Sequence, residues 1–459
     1  MPTKIEMTLP AIQRLLMVLI VATVVLLAHQ PGYVSYDAIV QWFDGRYGFT
    51  SGFPGHPPLM SLVWAGLEYL LPGPILMFGL QWALFTAAVA TVLVPQQRRP
   101  WIAAMVAVTL FLQPYLFANL ARINKDVLGG SAVLLAFAMV LPRPSPARLG
   151  WQFWVAGALV AFGLFIRYQF ISALPFLLWI IYRTRGLPAA ARGTGGFALG
   201  CVAVLAAIQF GGKGPSDVDA SLRKIMMYDL AGIVIRAPAE RLPDLPATTA
   251  ERDTMLQTMR ALYTTAKVDP FFDVPVELAP IGRAPLPVLS QVWRRVVVDH
   301  GGPFLAHRFA TFGRVVGLGD MRDCAVVSRQ PTAPDPPELA VVLNTAALPQ
   351  PYSQGVFYWR AFPIASPLFR PITYVLIAVV AGAATVAWQP SNPVTVWVRW
   401  SIAAGLAYLS TFLALPQACD GRYSFLPIAL ILLATTVLAL AAADVVLGRR
   451  RLTLDRRMA

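Results

Sequence analysis

Long apolar runs alternate with short polar, mostly basic breaks along the 459 residues of this chain. Apolar stretches at 11–28, 74–94, 101–117, 126–141, 151–166, 170–182 and 196–210 follow one another closely, and three more, 371–388, 394–415 and 423–447, close the chain. Between the two groups, 211–370 contains no apolar run of spanning length. A helix needs about 20 mainly apolar residues to cross a bilayer, so the pattern predicts ten spans. The run at 57–71 is short, carries Glu68 and is hemmed by Pro58 and Pro72, which predicts a helix lying in the interface. The expected fold is an all-α polytopic membrane protein with about ten transmembrane helices. Interfacial helices lie in the first outer loop, and one mostly helical domain lies outside the cytoplasm.

The basic breaks orient this threading. Lys4 and Arg14, then Arg98 and Arg99, Arg183 and Arg185, and Arg449 to Arg451 fall on one side if both termini are cytoplasmic, as the positive-inside rule requires. The acids were not used to build that arrangement, yet 15 of the 23 lie in 211–370. That segment therefore reads as a water-exposed domain, with helical spacing at 254–267 and 287–316 and a Pro-rich loop at 333–338. The chain divides into an N-terminal membrane module (1–210), an extracytoplasmic domain (211–370) and a C-terminal membrane module with a basic tail (371–459). The expected location is a bacterial inner membrane, with the large domain periplasmic.

Composition excludes an ordinary soluble enzyme: 57% of residues are hydrophobic and 13% charged, roughly half the charge of a soluble domain. A formal charge of +14 would suit nucleic acid, but its cations lie between apolar runs, so membrane lipid and not nucleic acid is the expected partner. The run 11–28 is followed by His29-Gln30-Pro31 without a cleavage pattern and reads as a retained span. Cys201, Cys324 and Cys419 are too scattered for a zinc site or a disulfide framework. Cys324 and Cys419 both fall outside, however, and can pair to tie the domain to the last loop.

Ionisable residues at the membrane's outer face supply the candidate chemistry. Asp37 leaves the first span at the surface, where a general base would meet a lipid and a water-borne substrate; alternatively it caps a helix starting near Ala38. His56, ahead of Pro57 and Pro58, can donate to a phosphate, share a divalent ion with Asp37, or simply shape a turn. Arg122, Lys125 and Asp126 stand at the start of the fourth span, either as a phosphate cradle at a helix N-terminus or as a helix-start acid with snorkelling cations. Arg167 sits at the outer end of a span that does not call for it, and Arg422 with Tyr423 closes the last outer loop, as a cation site or an interfacial anchor. Asp44-Gly45 reads as a turn, and Arg46 is a further outer cation.

This pattern resembles the GT-C superfamily of membrane glycosyltransferases, which includes protein O-mannosyltransferases and aminoarabinose and arabinofuranose transferases. The likeness is carried by Asp37, by His56-Pro57-Pro58-Leu59, by Arg122, Lys125 and Asp126, and by Arg422-Tyr423, and it covers the membrane modules. It implies an inverting transfer from a polyprenyl-phosphate sugar to a hydroxyl on a glycan, lipid or protein acceptor. Asp37 would act as base and His56 beside it, with Arg122, Lys125, Asp126, Arg167, Arg422 and Tyr423 around the substrate. Asp37 is followed by Ala38 where the mannosyltransferases carry an Asp-Glu doublet, and no Asp-x-Asp occurs in the first loop, so a divalent cation stays an open element. A lipid-linked oligosaccharide polymerase or ligase would use the same cations without a carboxylate base. A transporter would show two matching sets of broken spans, which this chain lacks.

The threading predicts that single cysteines placed near Pro57 or in 331–337 react with a membrane-impermeant thiol reagent from outside, and that one near Gln97 does not. Labelling at Gln97 from that side would make 57–71 a span and invert every later assignment.

Overall fold

The computed structural model describes residues 8–48, 56–96, 99–142, 150–210, 218–237, 248–271, 276–321, 324, 366–388, 392–415 and 419–458. The described chain is helical apart from one two-residue ladder, in agreement with the all-α expectation. Helix α1 (Leu9–His29) runs to the cis Gln30-Pro31 bond and is followed by strand β1 (Tyr33–Val34). Helix α2 (Tyr36–Tyr47) is capped by Ser35, whose Oγ accepts from Ala38 N at 3.3 Å, and it stops at Gly48, where φ is 76°. Asp44-Gly45 makes no turn, because α2 continues through it. Gly45 is there for contact: a Cβ would sit 2.6 Å from the Ser61 carbonyl of α3 (Leu59–Leu70). The α2/α3 pair is further joined by Trp42 stacked on Trp64 at 5.4 Å, and by Arg46 and the Trp42 indole on Glu68. Arg46 is thus a strut between the two short helices.

The bundle continues with α4 (Ile75–Gln96), α5 (Pro100–Phe111) and α6 (Pro114–Leu120). The run 101–117, read as one span, is bent by 72° between α5 and α6. Pro114 explains the break, since it offers no N–H to continue α5; the Gln113 side chain instead accepts from Leu116 N at 2.7 Å and starts α6. Strand β2 (Arg122–Ile123) leads into α7 (Lys125–Met139), and α8 (Trp151–Ile166), α9 (Leu174–Arg185) and α10 (Leu187–Phe210) complete this part. The apolar stretch at 196–210 is only the second half of α10. The first half is rich in small residues that let it lie directly on α8: a Cβ at Gly196 would fall 2.0 Å from the Trp154 carbonyl, and one at Gly157 equally close to that of Gly193. Gly196 and Gly200 are four apart, the spacing at which small residues bring two membrane helices together.

The second unit holds α11 (Val218–Val234), α12 (Thr249–Leu262), α13 (Ala279–Gly282), α14 (Leu286–Asp299) and α15 (Gly301–Val315). It has its own apolar core, including Met227, Tyr228, Ile233, Met255, Met259 and Leu289. A Thr248–Glu251 capping box starts α12, and Gly301-Gly302-Pro303 divides the expected 287–316 helix into α14 and α15. The Pro-rich loop at 333–338 lies outside the described residues. Helices α16 (Pro371–Ala387), α17 (Pro393–Ala414) and α18 (Phe425–Met458) return to the main bundle. Cys324 and Cys419 are bonded, with Cα atoms 4.9 Å apart, so the pairing that the sequence left open is present.

Among the described residues, five helices are long and apolar enough to cross a membrane, within Leu9–His29, Ile75–Pro95, Leu187–Gln209, Pro393–Ala414 and Gly421–Val445; counting the bent α5/α6 pair makes six. The chain is a membrane-embedded helical protein. The other four expected spans correspond to α7, α8, α9 and α16, which have 15, 16, 12 and 17 residues and fall short of full span length on their own.

The α8/α10 contact gives a direct test. Gly196→Ala should cost about 1–3 kcal/mol through overpacking and lower the melting temperature in detergent. Gly382→Ala on α16, whose added Cβ meets nothing within 4 Å, should not.

Candidate functional site

One end of the bundle gathers charged side chains from four separate parts of the chain. The scaffold for this is backbone. Strands β1 and β2 pair in parallel, Tyr33 opposite Arg122 and Val34 opposite Ile123, which brings the exit of α1 beside the entry of α7. Gln81 of α4 holds that junction by donating to the Arg122 carbonyl at 2.9 Å, and the Trp82 indole donates to the Leu120 carbonyl at 3.1 Å. Ser35 and Asn124 face each other at 3.0 Å, each also capping the helix that follows it. The capping reading of Asp37 therefore does not hold: Ser35 caps α2, and the Asp37 carboxylate is left to point elsewhere.

It points to cations. Asp37 Oδ2 accepts from Arg422 Nη1 at 2.6 Å and lies 3.5 Å from Lys125 Nζ. Lys125 also donates to His56 Nδ1 at 2.7 Å. Arg422 reaches back through Nε to Asp420 Oδ2 at 2.9 Å and faces Asp126 Oδ2 at 3.6 Å. Behind this row, Arg122 Nη1 binds Asp420 Oδ1 at 2.8 Å and Arg167 is paired with Asp126. Tyr423 packs against both guanidinium groups, with Arg167 4.4 Å and Arg422 5.1 Å from its ring centroid, and it stacks on Phe412 of α17.

Exposure sorts these groups into two layers. The side chains of Asp37, Lys125, Arg422 and Asp420 retain 13–19% of their surface, so a ligand can touch them; Arg122, Asp126 and Arg167 retain 1–5% and serve as the packed backing. Arg122 and Asp126, four apart, do not share a helix face, because Arg122 is in β2 and each has a different partner. Of the expected cradle residues, Lys125 stands in the accessible layer beside Arg422, while Arg122 lies behind it on Asp420.

The electrostatics follow from this crowding. Four cations meet three carboxylates, a net charge of +1 that favours an anionic ligand. Burial by itself would raise the Asp37 carboxyl, but Arg422 first and Lys125 next outweigh it and hold the group well below the usual carboxylate range. Burial, reinforced by the Lys125 charge, pushes His56 down to about 3, so it is a neutral imidazole at physiological pH. With Nδ1 accepting from Lys125, its Nε2 carries the proton and can donate. The Lys125 ammonium occupies the position between Asp37 and His56 that a shared divalent ion would need. Among the described residues no three His, Cys, Asp or Glu side chains gather as a metal-binding group.

The chain matches no family model, no curated protein and no solved structure.

The geometry brings Asp37, His56, Lys125, Asp126, Arg167, Arg422 and Tyr423 into one cluster and sets Arg122 at its back. Sequence reasoning missed Asp420 as a member, although an acid two residues before Arg422 in an outer loop was a signal. It also missed Tyr115, whose hydroxyl donates to the Gly421 carbonyl and fixes the backbone under Arg422. Ser35 and Asn124 carry no charge and become visible only as helix caps.

The two layers predict different costs. Asp126→Ala strands the Arg167 guanidinium in a buried position and should destabilise by about 3–5 kcal/mol, read as a fall in melting temperature in detergent. Asp37→Asn, in the exposed layer, should unfold within a few degrees of the unsubstituted protein.

Proposed function

We propose that this protein is an inverting glycosyltransferase that moves a sugar from a polyprenyl-phosphate donor to an acceptor hydroxyl at the outer face of a bacterial inner membrane. It would be threaded ten times, with both termini cytoplasmic and the 211–370 domain periplasmic. The observation that carries the reading is an accessible carboxylate, Asp37, in direct contact with two accessible cations, Lys125 and Arg422, at one end of a membrane bundle.

The chemistry needs both halves of that contact. With Lys125 and Arg422 on Asp37, the carboxylate is a weak base. A donor phosphate competes for the same two cations, and as they turn to it Asp37 loses the charges that depress it and becomes more basic. It then takes the proton of the acceptor hydroxyl while the hydroxyl oxygen bonds to the anomeric carbon and the bond to the phosphate oxygen breaks. Polyprenyl phosphate leaves with its charge on Arg422 and Lys125, where water is partly excluded and such contacts are stronger. His56 keeps Lys125 in place and offers Nε2–H to a phosphate oxygen; Arg167 and Tyr423 fix Arg422 from behind.

A lipid donor also needs a place for its chain. An apolar groove of about 950 Å³ runs between α16 and α18, lined by Leu376, Ile377, Val380, Ala384 and Leu438 among others. An apolar groove of this kind suits a prenyl chain lying between the two helices. A polymerase acting on lipid-linked oligosaccharide would share the cations but not require Asp37.

Purified protein in nanodiscs with a polyprenyl-phosphate sugar separates the readings. Asp37→Asn should bind donor but lose transfer by roughly a hundredfold or more, whereas Lys125→Ala and Arg422→Ala should weaken donor binding, with Arg422→Lys giving incomplete recovery if the contact is bidentate. Near-normal turnover by Asp37→Asn would favour the base-free polymerase. Unchanged donor binding in both cation variants would move the phosphate elsewhere.

A further inference from the structure

The helices of the 211–370 unit are not all amphipathic in the same sense. Helix α12 is ordinary: it buries Met255, Leu256 and Met259 and exposes Asp253, Gln257 and Arg260. Helix α15 is inverted. Its buried face carries His307, Arg308 and Thr311, while its exposed face carries Gly302, Leu305, Ala306 and Phe309, recurring at the spacing of a helical stripe, with Leu305 54% and Phe309 60% exposed.

The buried polar face has its own explanation. Asp229, fully buried on α11, accepts from Arg308 Nη2 at 2.6 Å and from the Trp293 indole at 2.9 Å, and it lies 3.1 Å from His307 Nε2. Tyr263 lies 2.9 Å from His307 Nδ1. A buried carboxylate must be neutralised, and α15 turns its cation inward to do so. That leaves its apolar side outward, where a water-facing helix would lose favourable burial.

What meets the apolar side is indicated by the second role of Arg308. Its Nη1 donates to the carbonyls of Leu413 and Ala414, the last residues of α17, itself long and apolar enough to cross a membrane. Helix α15 is therefore pinned at the terminus of a candidate span. Leu305 and Phe309 line a crevice of about 230 Å³ with Trp293, Phe304, Leu413 and Ala414, so the exposed apolar surface of α15 runs on into the end of α17. The exposed stripe of α15 carries no charged side chain to keep it in water.

We propose that α15 is an interfacial helix whose Leu305/Phe309 face is immersed in the phospholipid leaflet at this end of the bundle, so that the 211–370 unit is seated on the bilayer. The partner is the lipid surface itself, and the inference does not depend on the glycosyltransferase reading.

Site-directed spin labelling tests it on the full chain in phosphatidylcholine/phosphatidylglycerol nanodiscs. In a Cys201→Ser background that keeps the native disulfide, labels would be placed by Leu305→Cys, Phe309→Cys and, on the polar side of α12, Gln257→Cys; all three positions are exposed. Collision rates with oxygen, which concentrates in acyl chains, and with a water-soluble nickel chelate would be compared. The expected result is an oxygen-to-nickel ratio severalfold higher at 305 and 309 than at 257. A ratio at 305 and 309 equal to that at 257 would put α15 in water and overturn the proposal. Low accessibility to both reagents at 305 and 309 would overturn it as well, since the face would then be covered by protein, such as a second copy of this chain.

Discussion

A charge removed from water must be neutralised where it stands, and this constraint organises the end of the bundle that carries the cluster. Arg122 and Arg167, almost wholly buried, are tolerable only because Asp420 and Asp126 face them. Those carboxylates are in turn shared with Arg422, which spans Asp37, Asp126 and Asp420 at once. The helix ends are located by this network as much as by apolar packing. The ladder between β1 and β2 fixes the distance between the first two loops, and Tyr423, packed against two guanidinium groups and Phe412, fixes the third. Only the outermost pairings, those of Asp37 and Lys125, can be exchanged for contacts with a ligand without exposing a stranded charge in the core.

The 211–370 unit is attached beside the same network. The Cys324–Cys419 bond ends one residue before Asp420, so the domain is covalently joined to the loop that presents Arg422. Arg308 binds the last carbonyls of α17 one residue beyond Phe412, which packs on Tyr423 and lies 5.4 Å from the Arg167 guanidinium carbon. The Cys419 N–H also donates to the Ala266 carbonyl at 2.9 Å, and none of these linking residues takes part in the cluster.

Much of this was legible in the chain because membranes make sequence patterns severe. Apolar runs located α1, α4, α10, α17 and α18, and ionisable residues at their ends pointed to Asp37, Lys125, Arg167 and Arg422. The failures have physical causes. Apolar periodicity cannot register Pro114 bending a run of sufficient length into two helices. It cannot see that α10 already runs through Gly193, because the value of Gly193, Gly196 and Gly200 lies in contact with neighbouring helices, α8 among them. Partner choice was equally hidden: Arg46 and Arg122 look like Arg422 in sequence, and only the fold gives Arg46 to Glu68 and Arg122 to Asp420. Asp229 sat unnoticed on the apolar side of α11 among Met226, Met227, Leu230 and Ile233, where a lone acid signals a buried partner.

The hydrogen bond between Arg422 and Asp37 joins residues 385 positions apart. During synthesis, Asp37, Lys125, Asp126 and Arg167 all enter the membrane region long before Arg422 and Asp420 exist. For most of its biogenesis the chain therefore carries charged groups whose final partners have not been made. A chain interrupted before residue 420 already holds the Asp37–Lys125 and Asp126–Arg167 pairs, but its Arg122 has no Asp420. The last loop thus arrives as a balanced pair of charges: Asp420 supplies the carboxylate that Arg122 has lacked, and Arg422 supplies the guanidinium that closes on Asp37.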